Sequence, residues 1–422
     1  MTQAETWIPS CSVEEAHEIL TRSGSPLEIE VDVFNGRQLK VWKNQPPSMR
    51  EFYLQVTEEY KNKTYVVYGE ERYSFQGLFH SSIKCAVAFK NVYGIKKGDR
   101  VTICSRNRPA YLAAFWACHL LGAVSVLLDP LLPLEPLKHC LTLAKCTILI
   151  LDPDRADMVH PIASELKKTT GISVYIVFND QATGVRWAGM DAWTTVCSED
   201  REASEDILNN DPNVLPDDDA AIFFTSETTG LPKAVLTSHR ACLTAPFNDS
   251  LLEGRERLRQ GEPVQLGSSQ NSNVQGGILL PRVMCHIGPF ASMMTCTYRG
   301  LKLVITRTWD PPEVVKHPFS RYTTLLTICS VAIVIRELAD NGLAGYPLES
   351  VVFTGGTIPS SFFQSVRKGF PQTRVQQVYG ITETTGAVGG FGKDGYGIQD
   401  WYAPVMIITG ICRYLLLPYI AA

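Results

Sequence analysis

The sequence predicts an α/β protein whose sheets are mostly parallel and carry helices on their faces. Short apolar runs recur along the 422 residues, and segments with helical spacing lie between them. Most of these runs lack the alternation of apolar and polar residues, which is typical of strands that are covered on both faces. The runs predicted as strands are 100–104, 123–128, 147–152, 174–179, 220–225, 302–306 and 350–354.

The connecting segments supply helix signals and two polar stretches. Helical spacing occupies 109–121, where Pro109 begins the helix and Gly122 ends it, and also 161–169. Ser238 is placed to cap a helix over 239–243. The acidic stretch 198–219 is predicted as a solvated linker, and the Gly-, Ser-, Asn- and Gln-rich stretch 253–275 as a long loop.

Charge and cysteine content exclude several classes of function. With 39 Lys and Arg against 43 Asp and Glu and no basic block, the chain is not expected to bind nucleic acid. Its 12 cysteines form no CxxC pair and several lie in apolar runs, so we expect reduced, buried thiols and a cytoplasmic protein. The N-terminus does not resemble a signal peptide. The apolar stretches 112–128 and 405–420 are short for a membrane span, although the second leaves peripheral membrane association open.

The strongest chemical signal is the segment 224–238, which reads FTSETTGLPKAVLTS. A buried strand ends in a cluster of hydroxyls, and backbone N–H groups, hydroxyls and a lysine are the donors that a polyphosphate needs. A glycine in the segment permits a tight turn. The spacing differs from a Walker A loop, and an ordinary Ser/Thr-rich turn is the alternative. The candidate phosphate-binding residues are Thr225, Ser226, Thr228, Thr229, Gly230 and Lys233.

Three further segments carry candidate site residues. In 375–386 (VQQVYGITETTG), Tyr379 offers a flat face for a base, Gly380 allows close backbone approach, Thr382 can hydrogen-bond a phosphate oxygen, and Glu383 can hold Mg²⁺. In 351–359 (VVFTGGTIP), a strand ends in two glycines, for which a simple strand-to-helix turn is an equal alternative. In LPRVMCHIGPF, His286 is either a pocket residue or a packed core histidine.

The segment 224–238 resembles the phosphate-binding signature TSGTTGxPKG of the adenylate-forming superfamily, which includes acyl-CoA synthetases, luciferases and peptide-synthetase adenylation domains. A chance match of this quality is on the order of one in a million at average residue usage. The YGITE segment is similar to the YGxTE motif of that family and follows in the family's order, and the resemblance spans roughly 53–390. Seven specified positions of the first signature agree, namely Thr225, Ser226, Thr228, Thr229, Gly230, Pro232 and Lys233.

This resemblance implies an architecture and a site. It implies a lead-in over 1–50, a first α/β subdomain over 51–245 and a second over 246–390, stacked on one another. The tail over 391–422 is expected to be atypical and truncated, with the family's C-terminal lid absent. By the same resemblance, the loop around Lys233 would bind phosphates, Thr382 the α-phosphate and Glu383 the magnesium. The residues implied to border the adenine are Gly355, Gly356, Thr357, Tyr379 and Gly380, and His286 is implied to line the acyl pocket.

The implied function is ATP-dependent activation of a small carboxylic acid as an acyl adenylate, followed by transfer to coenzyme A, with Mg²⁺ as cofactor. Catalysis would rest on Thr382, Glu383 and Lys233 through positioning and charge neutralisation. Glu227, which stands where the signature has glycine, and the missing lid leave a catalytically impaired or inactive nucleotide- or acyl-binding remnant as the alternative, whereas Ala234 is a mild departure. An unrelated dinucleotide-binding enzyme is disfavoured because no GxGxxG follows an early strand.

Overall fold

Two eight-stranded sheets organise the part of the chain that the computed structural model describes. The described residues are 8–34, 36–178, 187–196, 201–225, 230–264, 275–316, 324–328, 331–354, 366–391 and 413–415. In both sheets most neighbouring strands are parallel; the antiparallel pairs are β18-β11 and β11-β10 in the first sheet and β17-β16 and β3-β4 in the second. A separate antiparallel pair, β1 (Ile29–Phe34) and β2 (Arg37–Trp42), lies near the N-terminus.

The first sheet brings together strands that lie between residues 100 and 238 and one short C-terminal strand. Its order is β18-β11-β10-β6-β5-β7-β8-β9. Every residue of β6 and β7 is buried, so both faces of these strands are covered. The strands are β5 (Arg100–Cys104), β6 (Val124–Leu127), β7 (Ile148–Leu151), β8 (Val174–Val177), β9 (Asp191–Ala192), β10 (Asp219–Phe224), β11 (Ala234–Ser238) and β18 (Arg413–Leu415).

The second sheet combines C-terminal strands with an early hairpin. Its order is β17-β16-β15-β14-β12-β13-β3-β4, in which β13 pairs in parallel with β3. The strands are β3 (Thr64–Tyr68), β4 (Glu71–Ser74), β12 (Gly277–Leu280), β13 (Lys302–Ile305), β14 (Thr324–Ile328), β15 (Ser350–Thr354), β16 (Arg374–Ile381) and β17 (Gly386–Phe391).

Helices connect the strands, and several begin at a serine whose hydroxyl accepts a backbone N–H of the first turn, as at α2 and α10. The α-helices are α1 (Val13–Thr21), α2 (Met49–Tyr60), α3 (Phe75–Asn91), α4 (Pro109–Leu120), α5 (Leu134–Ala144), α6 (Pro153–Val159), α7 (Ala163–Thr170), α8 (Trp193–Val196), α9 (Arg201–Asn209), α10 (His239–Arg259), α11 (Ile287–Arg299), α12 (Pro311–Lys316) and α13 (Val331–Leu338). Single helical turns occupy His160–Ile162, Ala339–Leu343 and Thr382–Thr384.

One apolar cluster joins the two sheets. It contains Val101 of β5 and Leu303 of β13 together with the helices α3, α4 and α11. In its centre, Trp116 of α4 stacks on Tyr53 of α2 with ring centroids 4.1 Å apart. Because α4 is buried on nearly every side, its apolar sequence is that of a core helix.

The sequence predicted many of these elements correctly. The strands at 100–104 and 350–354 have the expected bounds, and the other five predicted strands differ at their ends by no more than a few residues. Gly122 follows α4 with a φ of +66°, and a Cβ there would lie 2.8 Å from a methyl group of Val214. Both its left-handed backbone and its close packing therefore require glycine at this position.

Two connecting segments are more structured than the sequence predicted. Within the predicted linker 198–219, residues Arg201–Asn209 form α9 and Asp219 begins β10. The helix packs because Ile207 is buried, while Arg50 donates to the carbonyl oxygens of Ile207 and Leu208 at its C-terminal end. The charged residues of this stretch predict solvent exposure, but they do not predict that the side chain of Ile207 is buried.

The helix that Ser238 caps is also longer than predicted. It continues to Arg259, so the first part of the predicted loop 253–275 is helical. Glu253 pairs with Arg257 one turn later and with Arg299 of α11, and these two partners stabilise the last turns of α10. Of that loop, residues 265–274 lie outside the described residues.

The predicted boundaries at 50, 245 and 390 stay predictions, because the sheets interleave along the chain. Strands β3 and β4 fall within the predicted first subdomain but complete the second sheet. Of the predicted tail 391–422, Phe391 ends β17, and Arg413–Leu415 forms β18, which pairs with β11. None of the described helices is both long enough and apolar enough to span a bilayer.

Two buried histidines lie between α4 and α10. The rings of His119 and His239 are 5.7 Å apart, and the Nδ1 atom of His239 accepts the backbone N–H of Met49. Burial lowers the pKa of His239 to about 4, an effect that nearby Lys97 reinforces and Asp218 opposes. Burial also lowers the pKa of His119, and the nearby His239 lowers it further. Both side chains are therefore neutral at pH 7.

We expect the protein to lose stability on acidification. A histidine whose pKa is lower in the folded state takes up protons on unfolding, so stability is full above pH 6.5 and falls as the pH drops towards 4. For His239 alone the loss between pH 7.5 and pH 5 is about 2 kcal/mol. Urea unfolding at the two pH values measures it.

The variant His239→Asn keeps an acceptor for the Met49 N–H but cannot take up a proton. Between pH 7.5 and pH 5 its free energy of unfolding should therefore fall by about 2 kcal/mol less than that of the unaltered protein. The matched control is His80→Asn, which changes an exposed histidine. An equal pH dependence in the two variants would show that His239 is not the titrating group.

Candidate functional site

The predicted phosphate loop joins the antiparallel strands β10 and β11. At its base, the Thr225 N–H donates to the carbonyl oxygen of Lys233 at 3.0 Å, and the Lys233 N–H donates to the Thr225 hydroxyl at 3.3 Å. Lys233 is exposed and Thr225 is half-buried. The hairpin thus holds the two ends of the loop side by side, with one hydroxyl and one cationic side chain at its base.

Inside this loop, Ser226, Thr228 and Thr229 lie outside the described residues, as does Glu227. Gly230 is described, and its φ lies outside the left-handed region. A Cβ at this position would meet no atom within 4 Å. The described backbone at Gly230 is therefore not left-handed, and its part in a tight phosphate-binding turn stays a prediction.

The second predicted motif forms another hairpin. Tyr379 and Gly380 lie near the end of β16, where the pairing with β17 contains a β-bulge between them. The Tyr379 side chain is 55% exposed, which leaves a ring face available for stacking. Bulges of this kind are common beside functional sites because they turn a side chain out of the regular sheet.

The short helical turn Thr382–Thr384 follows β16 directly. The hydroxyl of Thr384 accepts the backbone N–H of Ile381 and donates to its carbonyl oxygen, which fixes the turn. Thr382 and Glu383 are half-buried. A partly exposed carboxylate beside a hydroxyl suits Mg²⁺, because this cation binds few protein oxygens and completes its shell with phosphate and water.

The turn of the second hairpin comes close to the first hairpin. The turn Thr382–Thr384 lies beside β11, the strand that begins directly after Lys233. Strand β17 packs against both α10 and α11. The fold therefore brings the end of the phosphate loop and the Glu383 turn together, although they are about 150 residues apart in the sequence.

Gly386 begins β17 in a backbone conformation that favours glycine. Its φ is +136°, and a Cβ would lie 3.4 Å from the Cβ of Ala245 in α10 and 3.5 Å from that of Ala291 in α11. An L side chain rarely adopts such a backbone conformation. The sequence alone does not mark this residue as special, although it is the last residue of the segment TETTG.

We expect Gly386→Ala to destabilise the protein by about 1 to 3 kcal/mol, the range for a strained backbone conformation. Urea unfolding measures the loss. The matched control is Gly230→Ala, which has ordinary φ and open space and should change stability by no more than about 0.5 kcal/mol. Equal stability of the two variants would contradict the assigned strain.

The predicted pocket histidine lies at the start of α11. His286 is partly exposed, and its Nε2 atom is 3.4 Å from Oδ2 of Asp129, a residue just after β6. Burial opposes ionisation of Asp129, but the bonds from His286 and the Leu131 N–H outweigh it, so the pKa of Asp129 is lowered. Next to His286, Cys285 is buried, and burial raises the pKa of its thiol. His286 is therefore a partly exposed polar residue and not a packed core histidine.

A residue that the sequence analysis missed holds the His286 segment. Asn107 is 1% exposed; its amide donates to the carbonyl oxygen of Arg282 at 2.8 Å and accepts the N–H of Met284 at 2.9 Å. It thus ties the end of the first sheet to the segment before α11. A buried asparagine needs hydrogen-bond partners, but the sequence does not show which residues these are.

A buried ion cluster lies beside Asn107 and was also missed. Asp152 is fully buried; it accepts the Ser105 hydroxyl and the Arg106 N–H, and it is 3.1 Å from the guanidinium of Arg108. A half-exposed neighbour, Asp154, pairs with Arg106. These contacts fix the segment that carries Asn107. The glycine pair Gly355 and Gly356, with Thr357, lies outside the described residues.

Comparison with known families identifies the chain. The family model described as AMP-binding enzyme matches residues 54–405. This protein belongs to the AMP-binding enzyme family. The match covers both hairpins and most of the two sheets, so the family resemblance found from the two motifs is confirmed.

Curated members of the AMP-binding enzyme family show the same relationship at modest identity. The chain is 26% identical over 319 residues to 4-coumarate-CoA ligase 2 of Narcissus pseudonarcissus, covering 74% of this chain and 52% of that protein. It is 25% identical over 323 residues to the 2-succinylbenzoate–CoA ligase of Geobacillus sp. (strain WCH70), covering 76% of this chain and 55% of that one. The chain therefore spans about half the length of these relatives.

Solved structures of the AMP-binding enzyme family share the fold. One is the N-terminal domain of FACL13 from Mycobacterium tuberculosis, with a TM-score of 0.63 at 16% identity, covering 82% of this chain and 79% of that one. The predicted class of an α/β protein like the N-terminal domain of adenylate-forming enzymes is confirmed by this similarity.

Proposed function

We propose that this protein activates a carboxylic acid with ATP and transfers the acyl group to coenzyme A. The observation that carries the proposal is the meeting of two hairpins of an AMP-binding enzyme, one that ends at Lys233 and one that carries Glu383. The two curated relatives described above are CoA ligases of aromatic acids, which supports the same reaction class here.

In the proposed reaction, a carboxylate oxygen attacks the α-phosphorus of ATP, and the bond to pyrophosphate breaks. The thiol of coenzyme A then attacks the acyl carbon, its proton passes to solvent, and AMP leaves. Charge neutralisation and alignment dominate phosphoryl transfer, so binding groups carry the catalysis. The protein needs cationic and hydroxyl donors for the phosphates and a carboxylate for the metal.

The residues of this chain supply those groups. We propose that Lys233, with the hydroxyls and N–H groups of Thr225, Ser226, Thr228, Thr229 and Gly230, binds the β- and γ-phosphates. Glu383 would hold Mg²⁺, which neutralises charge on the phosphates. Thr382 would donate to the α-phosphate.

The adenine and the acid need different surroundings. Tyr379 offers an exposed ring to the base, and Gly380, Gly355, Gly356 and Thr357 are proposed to border it. His286, which is held by Asp129 and presented at the start of α11, is proposed to line the acid pocket. With Thr382 and Glu383 on the hairpin that packs on α11, the reacting groups would come from both sheets.

ATP–pyrophosphate exchange tests this proposal. The purified chain is incubated with ATP, Mg²⁺, labelled pyrophosphate and one acid of a panel of aromatic and fatty acids. Exchange that depends on the acid supports acid activation, and formation of an acyl-CoA on addition of coenzyme A supports the transfer. ATP binding without exchange for any acid would instead favour the impaired remnant.

Glu227 provides a second test within this chain. It stands where the family signature has glycine, and its charge would face the phosphates of ATP. We expect Glu227→Gly to raise the exchange rate about tenfold, the effect of roughly 1.4 kcal/mol in the barrier. The control Glu227→Gln removes the charge but keeps the side chain, so it separates repulsion from backbone effects. An unchanged rate in Glu227→Gly would contradict the inhibitory role.

A further inference from the structure

We propose that Asp129, Cys285 and His286 form a site for Zn²⁺. One ligand atom from each residue, a carboxylate oxygen, a thiol sulfur and an imidazole nitrogen, lies within 4.8 Å of the others. Zn²⁺ binds this mixture of oxygen, sulfur and nitrogen donors, and four-coordinate zinc with three protein ligands keeps one position for an exchangeable ligand. This site is separate from the proposed Mg²⁺ ligand Glu383.

The three side chains come from two parts of the fold that are already tied together. Asp129 follows β6 of the first sheet, whereas Cys285 and His286 lie between β12 of the second sheet and α11. Asn107 bonds to the backbone of Arg282 and Met284, directly before the two ligands. The segment that carries the sulfur and the imidazole is therefore fixed relative to the first sheet.

The carboxylate is oriented as well. The backbone N–H of Leu131 donates to Oδ1 of Asp129 at 2.8 Å, while Oδ2 lies 3.4 Å from Nε2 of His286. In tetrahedral zinc sites with bonds of about 2.0 to 2.3 Å, neighbouring ligand atoms are roughly 3.3 to 3.8 Å apart. Small side-chain rotations therefore suffice to bring the three atoms around one ion. A hydrogen bond to the second oxygen is a common support for a ligating carboxylate.

Access and donor type favour zinc over a harder cation. Cys285 is buried, but the side chains of Asp129 and His286 are 25% and 37% exposed, so the ion can enter from their side. Sulfur and imidazole donors select Zn²⁺ and Co²⁺ over Mg²⁺ and Ca²⁺, which prefer oxygen. On binding, the Zn–S bond replaces the S–H bond of Cys285, and the proton is released to solvent.

Cobalt titration tests the site directly. The reduced full-length protein is freed of metal by dialysis against a chelator and titrated with Co²⁺ while the absorption spectrum is recorded. We expect one equivalent to produce a thiolate-to-cobalt charge-transfer band, and one equivalent of Zn²⁺ to remove it. Millimolar Mg²⁺ should leave the band unchanged. If one equivalent of Mg²⁺ displaced Co²⁺ as one equivalent of Zn²⁺ does, the proposal would be overturned.

Variants connect the band to these residues. Cys285→Ser should abolish it, and Asp129→Asn and His286→Gln should each weaken Co²⁺ binding at least about tenfold. The control Cys118→Ala removes a buried thiol in α4 and should leave the titration unchanged. If Cys285→Ser fails to fold, the other two variants, checked by thermal melting without metal, still decide the matter. A band that persists in Cys285→Ser, or unaltered affinity in both other variants, would overturn the proposal.

Discussion

Replacing Glu383 by glutamine is expected to lower acid-dependent ATP–pyrophosphate exchange about 100-fold at low Mg²⁺, the lower end of the range for losing one active-site electrostatic contact. Glutamine keeps the size of the side chain in the turn Thr382–Thr384 but removes the negative charge that would hold the cation. Part of the activity should return as Mg²⁺ is raised. The measurement is the exchange rate as a function of Mg²⁺ concentration.

The matched control is Glu58→Gln, which changes an 80% exposed glutamate on α2 and should leave both the rate and its Mg²⁺ dependence unaltered. Glu383→Asp retains the charge on a shorter side chain, so its exchange rate should lie between those of Glu58→Gln and Glu383→Gln. A lowered rate with an unaltered Mg²⁺ dependence would assign Glu383 a role other than holding the metal. An unaltered rate would remove it from the site.

The elements that could be predicted from the sequence are those with a strong local signal. The strands at 100–104 and 350–354 are short segments rich in apolar, β-branched and aromatic residues. Gly122 marks the end of α4, where the backbone is left-handed. The two motifs at Lys233 and Glu383 also carry their own chemistry in short segments. Their meeting depends on how the two sheets pack, because β10 and β11 belong to the first sheet and β16 and β17 to the second, and local patterns do not encode this packing.

The features that escaped prediction depend on contacts between distant segments. The helix α9 lies in a stretch that its charges marked as a linker, and among its described side chains, those of 204–209, Ile207 is buried. Asn107 and Asp152 are polar residues whose roles exist only through partners from other parts of the chain. The same holds for Asp129, which meets His286 only once both sheets are formed.

Asp152→Ala is expected to destabilise the protein by about 3 to 5 kcal/mol, the cost of removing one partner from a buried ion pair. The substitution leaves the guanidinium of Arg108 buried without this carboxylate and deprives the Arg106 N–H of its acceptor, whereas the Ser105 hydroxyl keeps the carbonyl oxygen of Arg106 at 2.9 Å. The lost acceptor adds to the penalty because a buried donor keeps its desolvation cost. The shift of the urea unfolding midpoint measures the effect.

Two further variants separate the charge from the packing. Asp154→Ala, two residues away in the first turn of α6 but 40% exposed, should cost no more than about 1 kcal/mol. Adding Arg108→Met to Asp152→Ala removes the uncompensated charge and should restore part of the stability, since replacing both members of a buried pair costs less than removing one. If the double variant is no more stable than Asp152→Ala, the loss comes from the neutral hydrogen bonds. These same bonds hold the backbone before Asn107, so Asp152→Ala should then also weaken Co²⁺ binding at Cys285. Co²⁺ titrations of the unaltered protein and of Asp152→Ala test this link between stability and the metal site.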